Sequence, residues 1–334
     1  MSVSVKQERA AMKARVGRVA ERFGLLIVWA LTIAAFAIVE PGTFLTGQNF
    51  AAMLSSQSVI VFLTFALLLP LTTGDYDLSV AAVATLSAML LAILNVQEHW
   101  PIGIAIVAAL GTGLLVGLIN GGLIVLLGID SLIVTLGTGT ILNGIVLWIS
   151  GSKTFSGISS TLVDWVVIPK AFGLGLSFFY AVALCLALWY LLEFTPLGRQ
   201  MLFVGRARRV ARLSGLNVRR LRWGALAGCS LIGAGAGVLY AGTSGAADPS
   251  SGLTFLLPAF AAAFLGSTSI IPGRFNPFGS IIAVYFLVTG ITGLSILGVD
   301  IFVQNLFYGG ALVLAVALAS LVRGRVGRAA DDEE

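Results

Sequence analysis

Groups able to handle a solute are concentrated in four short stretches of an otherwise apolar chain. Thr72-Thr73-Gly74-Asp75-Tyr76-Asp77-Leu78-Ser79 supplies two carboxylates and several hydroxyls. Asn120 adds an amide, and Thr135, Thr138, Thr140 and Asn143 follow further along. Gly266-Ser267-Thr268-Ser269 adds three hydroxyls. Apart from the two acids these are neutral donors and acceptors, suited to trading hydrogen bonds with a small polar solute. The plainer reading is hydrogen bonding within and between helices, and both readings stand at this point. Catalytic chemistry is poorly served. His99 is the single histidine and borders an expected loop, so neither a metal cluster nor a histidine-based triad is expected. Cys185 and Cys229 sit inside apolar runs and read as packing residues. Gly151-Ser152-Lys153-Thr154 looks like the end of a phosphate-binding loop, but that motif needs glycines where Leu147 and Ser152 stand. The chain is therefore not expected to be an ATP-hydrolysing enzyme, and no cofactor or metal is implied.

The elements that must position these groups are set by hydropathy and charge. Hydrophobic residues make up 58% of the 334 residues and charged ones 10%, against about 25% charged in soluble domains. Mean hydropathy is +1.00. From Phe23 to Ser152 there is no Lys or Arg, whereas Arg199–Arg222 holds eight arginines and no acid. Lys and Arg cost roughly 2.5–3.5 kcal/mol each at a bilayer centre, so a membrane chain expels them and collects them where the bilayer ends. The expected fold is all-α: a polytopic transmembrane bundle of about ten helices, with a short cytoplasmic helix between the sixth and seventh. About ten runs approach the roughly 20 residues a crossing needs: 24–39, 50–72, 78–95, 101–127, 131–149, 173–194, 223–243, 255–271, 278–296 and 301–322. The chain divides as one membrane domain, with a basic start (1–22), six spans (24–194), a basic loop (195–222), four spans (223–322) and a tail (323–334). With the start inside, the inner segments hold 18 of the 20 positive residues, leaving only Lys153 and Lys170 outside. An odd number of spans would put one basic cluster on the wrong side. The start resembles a signal peptide without a convincing cleavage site, which predicts an uncleaved first helix. The net charge of +5 lies in short loops rather than on a groove-reading element, so nucleic acid is not an expected partner.

Two acids at membrane depth would cost about 5–7 kcal/mol together if they faced lipid. The stretch 72–79 is thus either a cytoplasmic turn or a broken helix lining a polar cavity. Gly113, Gly117 and Gly121 form a stripe on one helix face, with Asn120 beside it, fit for close helix packing. A second glycine-rich helix carries Gly224, Gly228, Gly233, Gly235 and Gly237. Asp130-Ser131 reads as a helix N-cap. Gly266–Arg274 looks like a half-helix and turn. In the basic loop, Thr195-Pro196 is a helix start, and Ala207, Val210, Ala211 and Ser214 make a small-residue stripe that Gly215 should terminate. Such a helix suits either anionic lipid or a protein partner.

At these residues the chain resembles the ribose-type permeases of bacterial ABC importers, over roughly residues 45–320. The resemblance rests on the joint order of Thr73–Ala81, Ile119-Asn120-Gly121, Ile133–Thr138, Leu197-Gly198-Arg199, Ala211–Leu216, Ala261–Ser269 and Gly293–Val299. Departures occur at Arg206, Asp130, Ser267 and the Leu256-Leu257-Pro258 stretch. The resemblance implies an inner-membrane permease for a monosaccharide or similar polyol. It implies a separate ATP-binding cassette ATPase, a periplasmic substrate-binding protein, a second permease subunit, identical or not, and membrane lipid as partners. Asp75, Asp77, Ser79, Asn120, Thr135, Thr138, Asn143, Ser267 and Thr268 are then expected along the translocation path. Gly198, Arg199, Arg206, Arg208, Ala211, Arg212, Ser214 and Gly215 are expected to couple to the ATPase. The alternatives are an ion-coupled secondary transporter of a small polar solute, which needs an intramembrane carboxylate, and a passive channel.

The charge split predicts both termini in the cytoplasm. Single cysteines at Ser2, Ser156 and Ser250 test this with an impermeant thiol reagent on intact cells. Ser2→Cys should be protected and the other two labelled; labelling at position 2 would overturn the orientation.

Overall fold

Apolar runs have no water to satisfy their amides in a bilayer and close their hydrogen bonds internally, here as helices. A computed structural model describes residues 22–171 and 173–331. The basic segment 1–21, residues 332–334 and the side chains of Arg323, Arg325 and Arg328 lie outside the described residues. In chain order the helices are α1 (Arg22–Val39), α2 (Pro41–Phe44), α3 (Gly47–Ser56), α4 (Ser58–Thr73), α5 (Val80–Ala92, prolonged by a wider turn, Ile93–Gln97), α6 (Ile102–Val125) and α7 (Ser131–Ser150). Then follow α8 (Ser160–Val167), α9 (Leu176–Phe194), α10 (Pro196–Arg206), α11 (Arg208–Leu213), α12 (Val218–Ser244), α13 (Ser251–Gly266), α14 (Pro277–Ile296) and α15 (Ile301–Asp331). Among the described residues, eight stretches are long and apolar enough to cross a membrane: α1, α3 with α4, α5 with its wide turn, α6, α7, α9, α12 and α14. Two shorter apolar stretches, Thr254–Gly266 in α13 and Phe302–Ala317 in α15, complete the expected set. The chain is an all-α polytopic membrane bundle.

Some boundaries differ from the apolar runs for local reasons. α12 starts at Val218, five residues early, because Asn217 Oδ1 accepts the Arg220 amide at 3.1 Å and caps the helix. Arg219, Arg220 and Arg222 are thereby helical. α4 stops where Gly74 turns left-handed (φ 81°), and α5 resumes only at Val80.

Two ends of the bundle are distinguished by contacts. At the basic end, Arg22 O accepts from Ile270 N and Ser269 Oγ. There Arg274 pairs with Glu193 at 2.9 Å, and Arg208 and Arg222 reach Asp75. At the far end, β1 (Phe155–Ser156) pairs antiparallel with β4 (Ala246–Ala247), while β2 (Pro169–Ala171) pairs with β3 (Leu174–Gly175). Lys153 and Lys170 belong to this far end. There the Asp248 carboxyl is held below the usual carboxylate range, chiefly by the Ser250 hydroxyl and then by the Ser250 amide.

α12 is the central helix and packs on α4, α5, α6 and α8. α5 is buried on every side from Val80 to Met89, as expected of a helix apolar all round. By contrast α6, α7 and α9 keep exposed apolar faces, including Ile119, Ile133, Trp148 and Tyr190. The glycine stripe of α6 lies on α12. A Cβ at Gly117 would sit 2.8 Å from Ala227 Cα, and those at Gly113 and Gly121 would meet Ala234 and Trp223. Gly233 and Gly237 press α12 onto α5 at Val80 and Ala84. Gly233 lies 15 residues beyond the start of α12, about 22 Å along its axis. The first residue of α5 is therefore deep inside the bundle. Gly252, at the start of α13, abuts Ala81 O and Thr85 Oγ1, so α13 also begins at depth, from the opposite side.

This packing gives a direct comparison within one helix. Gly111 has open space around it, so Gly111→Ala should be neutral or stabilise by up to about 1 kcal/mol through helix propensity. Gly117→Ala should destabilise by about 1–3 kcal/mol through overpacking. Thermal unfolding of the purified protein in detergent reads both; equal melting temperatures would contradict the stripe's role.

Candidate functional site

The basic loop is seated on the bundle by small residues. Thr195 caps α10: its Oγ1 accepts the Gly198 amide at 3.2 Å and donates to Leu191 O at 2.6 Å. Gly198 is buried against Leu191 O and Leu192, and the exposed Gly205 abuts Thr72 O, with no room for a Cβ at either. The single helix expected here is two, because Ala207 leaves the helical region (φ −152°, ψ 77°). Gly215 (φ 80°) ends α11 as expected. Of the expected small-residue stripe only Ala211 is fully buried; Ala207 is half-buried, and Val210 and Ser214 are exposed, so the stripe is divided between the bundle and the outer surface. On α11 the apolar groups facing out are Val210 (50% exposed) and Leu213 (80% exposed). Arg199, Arg206, Arg212 and Ser214 are exposed.

Arg208 instead grips the end of α4. Its Nη2 donates to Thr73 O (3.1 Å), Gly74 O (2.7 Å) and Asp75 Oδ1 (2.9 Å), the carbonyl end of a helix where a cation is favoured. Arg222, from the first turn of α12, forks onto the same carboxylate with Nε–Oδ2 and Nη2–Oδ1 both 2.7 Å. Asp75 is 2% exposed. Asp75, Tyr76, Asp130, Ser131, Arg208 and Arg222 line a neighbouring cavity of about 350 Å³.

From Asp75 the chain climbs into the bundle without helical hydrogen bonds, and α7 supplies the missing partners. The Tyr76 amide donates to Ser131 Oγ (3.2 Å) and the Leu78 amide to Thr135 Oγ1 (3.0 Å). Two residues of open chain cover up to about 6.6 Å and four of helix about 6 Å, so alternate amides meet one hydroxyl per turn. One turn further, Gly139 lets α7 approach Ser79. Asp77 is fully buried. Its Oδ1 accepts from the Ser79 amide (2.9 Å) and hydroxyl (2.6 Å). Ser79 Oγ accepts from Asn120 Nδ2 (2.9 Å), and Asn120 Oδ1 accepts from Thr138 Oγ1 (2.7 Å). A polar thread Asp77–Ser79–Asn120–Thr138 thus joins α5, α6 and α7. Asp77 Oδ2 has no hydrogen-bond donor, and the Cys229 thiol of α12 is its neighbour.

The stretch 72–79 therefore combines both sequence alternatives. Asp75 sits in a turn at the basic end, while Asp77 lies at depth on a broken helix. Of the other path candidates, Ser267 and Thr268 bond back to Phe264 O and Leu265 O at the basic end of α13 and are apart from the thread. Asn143 lies half-buried further along α7, outside the thread. Ser131, Cys229 and Arg222 were not singled out as path or coupling residues from sequence. Ser131 carried a signal, since it stands one helical turn before Thr135; Cys229 carried none. Asp130 does cap α7, its Oδ1 accepting from Leu132 N at 2.8 Å.

Comparison with known proteins follows the same geometry. The chain is 30% identical to the D-allose transport system permease protein of Escherichia coli K12, over 90% of this chain and 92% of that one. It is 28% identical to the ribose import permease protein of the same organism, over 87% and 91%. It is also 28% identical to the autoinducer 2 import system permease protein of Salmonella paratyphi B, over 86% and 90%. No solved structure matches the chain. A family model described as branched-chain amino acid transport system / permease component matches residues 49–319. The clamp, the polar thread and the basic loop thus all fall within the matched region, and the chain belongs to this family of transport-system permeases.

Proposed function

We propose that the chain is the membrane subunit of an ATP-driven bacterial importer and conducts a monosaccharide or similar small polyol. The observation that carries this reading is the polar thread. It is buried from Asp77 to Asn120, half-buried at Thr138 and, apart from Asp77, built of neutral hydroxyl and amide groups. A zwitterionic amino acid, which the family's description would suggest, calls for opposed charges to meet its ammonium and carboxylate. Two of the three relatives are named for a sugar, which agrees with the neutral thread. Asp77, Ser79, Asn120, Thr135 and Thr138 then border the path, with Asn143, Ser267 and Thr268 further along it.

In this reading the basic end faces the cytoplasm of an inner-membrane protein, and both termini lie there. ATP hydrolysis belongs to a separate ATP-binding cassette subunit, a periplasmic binding protein delivers the solute at the far end, and a second permease subunit, identical or not, completes the path. Residues 199–216 meet the ATPase. Val210 and Leu213 offer apolar contact, with Arg199, Arg206 and Arg212 around them as donors; Gly198, Ala211 and Gly215 shape the loop. An ion-coupled transporter is less well supported, because the relatives are named as transport- or import-system permeases.

Purifying the complex and screening sugars for stimulation of its ATPase tests the assignment; no stimulation by any sugar, with stimulation by amino acids, would reverse it. Asp77→Ala, Asn120→Ala and Thr135→Ala should each lower uptake of the stimulating sugar about ten-fold, since each leaves a buried partner unpaired at ~1–3 kcal/mol. Thr140→Ala, exposed and bonded only to its own helix, should not. Normal uptake in all three variants would return the thread to simple helix packing.

The outward residues give a separate check. Leu213→Asp should abolish co-purification of the ATPase and leave the unfolding free energy within about 0.5 kcal/mol of the parent, as for an exposed site. Retained ATPase binding would show that α11 does not dock.

A further inference from the structure

We propose that the clamp of Arg208 and Arg222 on Asp75 is the joint that delivers movement of the basic loop to the segment 76–79 and its polar thread. The inference rests on the reading that the loop meets an ATPase.

Three observations carry it. First, Arg208 belongs to α11, beside the exposed Val210 and Leu213, yet its guanidinium bonds three successive residues, Thr73, Gly74 and Asp75. A load on α11 therefore reaches the backbone at the break between α4 and α5. Second, Arg222 ties the same carboxylate to α12, the helix that packs along α5 and α6. Asp75 is thus shared between a surface element and the central helix. Third, the chain beyond Asp75 is not part of either flanking helix. It is held by side-chain hydroxyls at Tyr76 and Leu78 rather than by a continuous backbone ladder, and a cavity of about 350 Å³ adjoins Asp75 and Tyr76. The Tyr76 ring stacks on Phe264 of α13 at 6.5 Å, so a shift of this residue is felt by the second helix that begins at depth.

A staple that only stabilises the bundle would have different consequences. It would lower the melting temperature when cut, without changing how the interior responds to nucleotide. Asp75 and the two arginines are positioning residues in this scheme; none is asked to touch the solute.

The test uses the whole importer in nanodiscs, with hydrogen exchange followed at 72–80 and at 206–215 with and without a non-hydrolysable ATP analogue. In the parent, both regions should respond, with exchange at 76–79 changing about 5- to 150-fold, the usual range of coupling between sites. In Asp75→Asn, and independently in Arg208→Gln, the loop should still respond while the change at 76–79 falls to nearly none. Arg208 is 40% exposed, so its truncation spares folding if Asp75→Asn does not. An unaltered response at 76–79 in the variants, or none there in the parent, would overturn the joint while leaving the ATPase assignment intact. Failure of the parent to hold the ATPase at all would remove both.

Discussion

Backbone amides that leave a helix inside a membrane bundle must find partners there, and the site follows from how four of them do so. Asp75 N bonds Pro70 O, Tyr76 N bonds Ser131, Leu78 N bonds Thr135, and Ser79 N bonds Asp77. Unmet, each would cost on the order of several kcal/mol in a dry interior. The hydroxyls of α7 and the carboxyl of Asp77 are thus structural before they are anything else. Because these bonds fix where α5 begins, they also fix its register on α12 through Gly233 and Gly237. In the proposed reading the same groups are the polar atoms offered to a solute, so folding and conduction would draw on one set of side chains.

Charge is managed with similar economy. Asp75 is shielded from solvent, and a lone carboxylate there would be costly; two guanidiniums meet it with five hydrogen bonds to it and its neighbours, three of them on the carboxylate. Removing one partner of such a group is far worse than never having built it. The cluster therefore specifies one arrangement of α4, α11 and α12 more than it adds net stability.

Much of this was readable from the sequence. The charge split, the apolar runs, the α6 glycine stripe and the caps at Thr195 and Asp130 are local or periodic features, and such features survive without tertiary information. The differing roles of Asp75 and Asp77 were not readable, since two residues of separation put them in one cluster. Only the left-handed turn at Gly74 assigns the first to the helix end and the second to the interior. The small stripe of the basic loop was visible but its direction was not: a smooth face fits a partner protein and the parent bundle equally well, and the fold divides it, burying Ala211 and leaving Val210 and Ser214 outside. Cys229 reaches Asp77 only through the packing of α12.

The pairing of open chain with helix at 76–79 has a consequence for how this protein can vary. Two residues on one side match one turn on the other, so one residue more or less would carry every amide past its hydroxyl. The side chains along this stretch can be exchanged one at a time, and with them the polar groups it presents inside the bundle. Its length cannot drift in the same way. Diversification here must proceed by substitution at constant spacing, whereas exposed turns such as Gly151–Thr154 at the far end are free to lengthen.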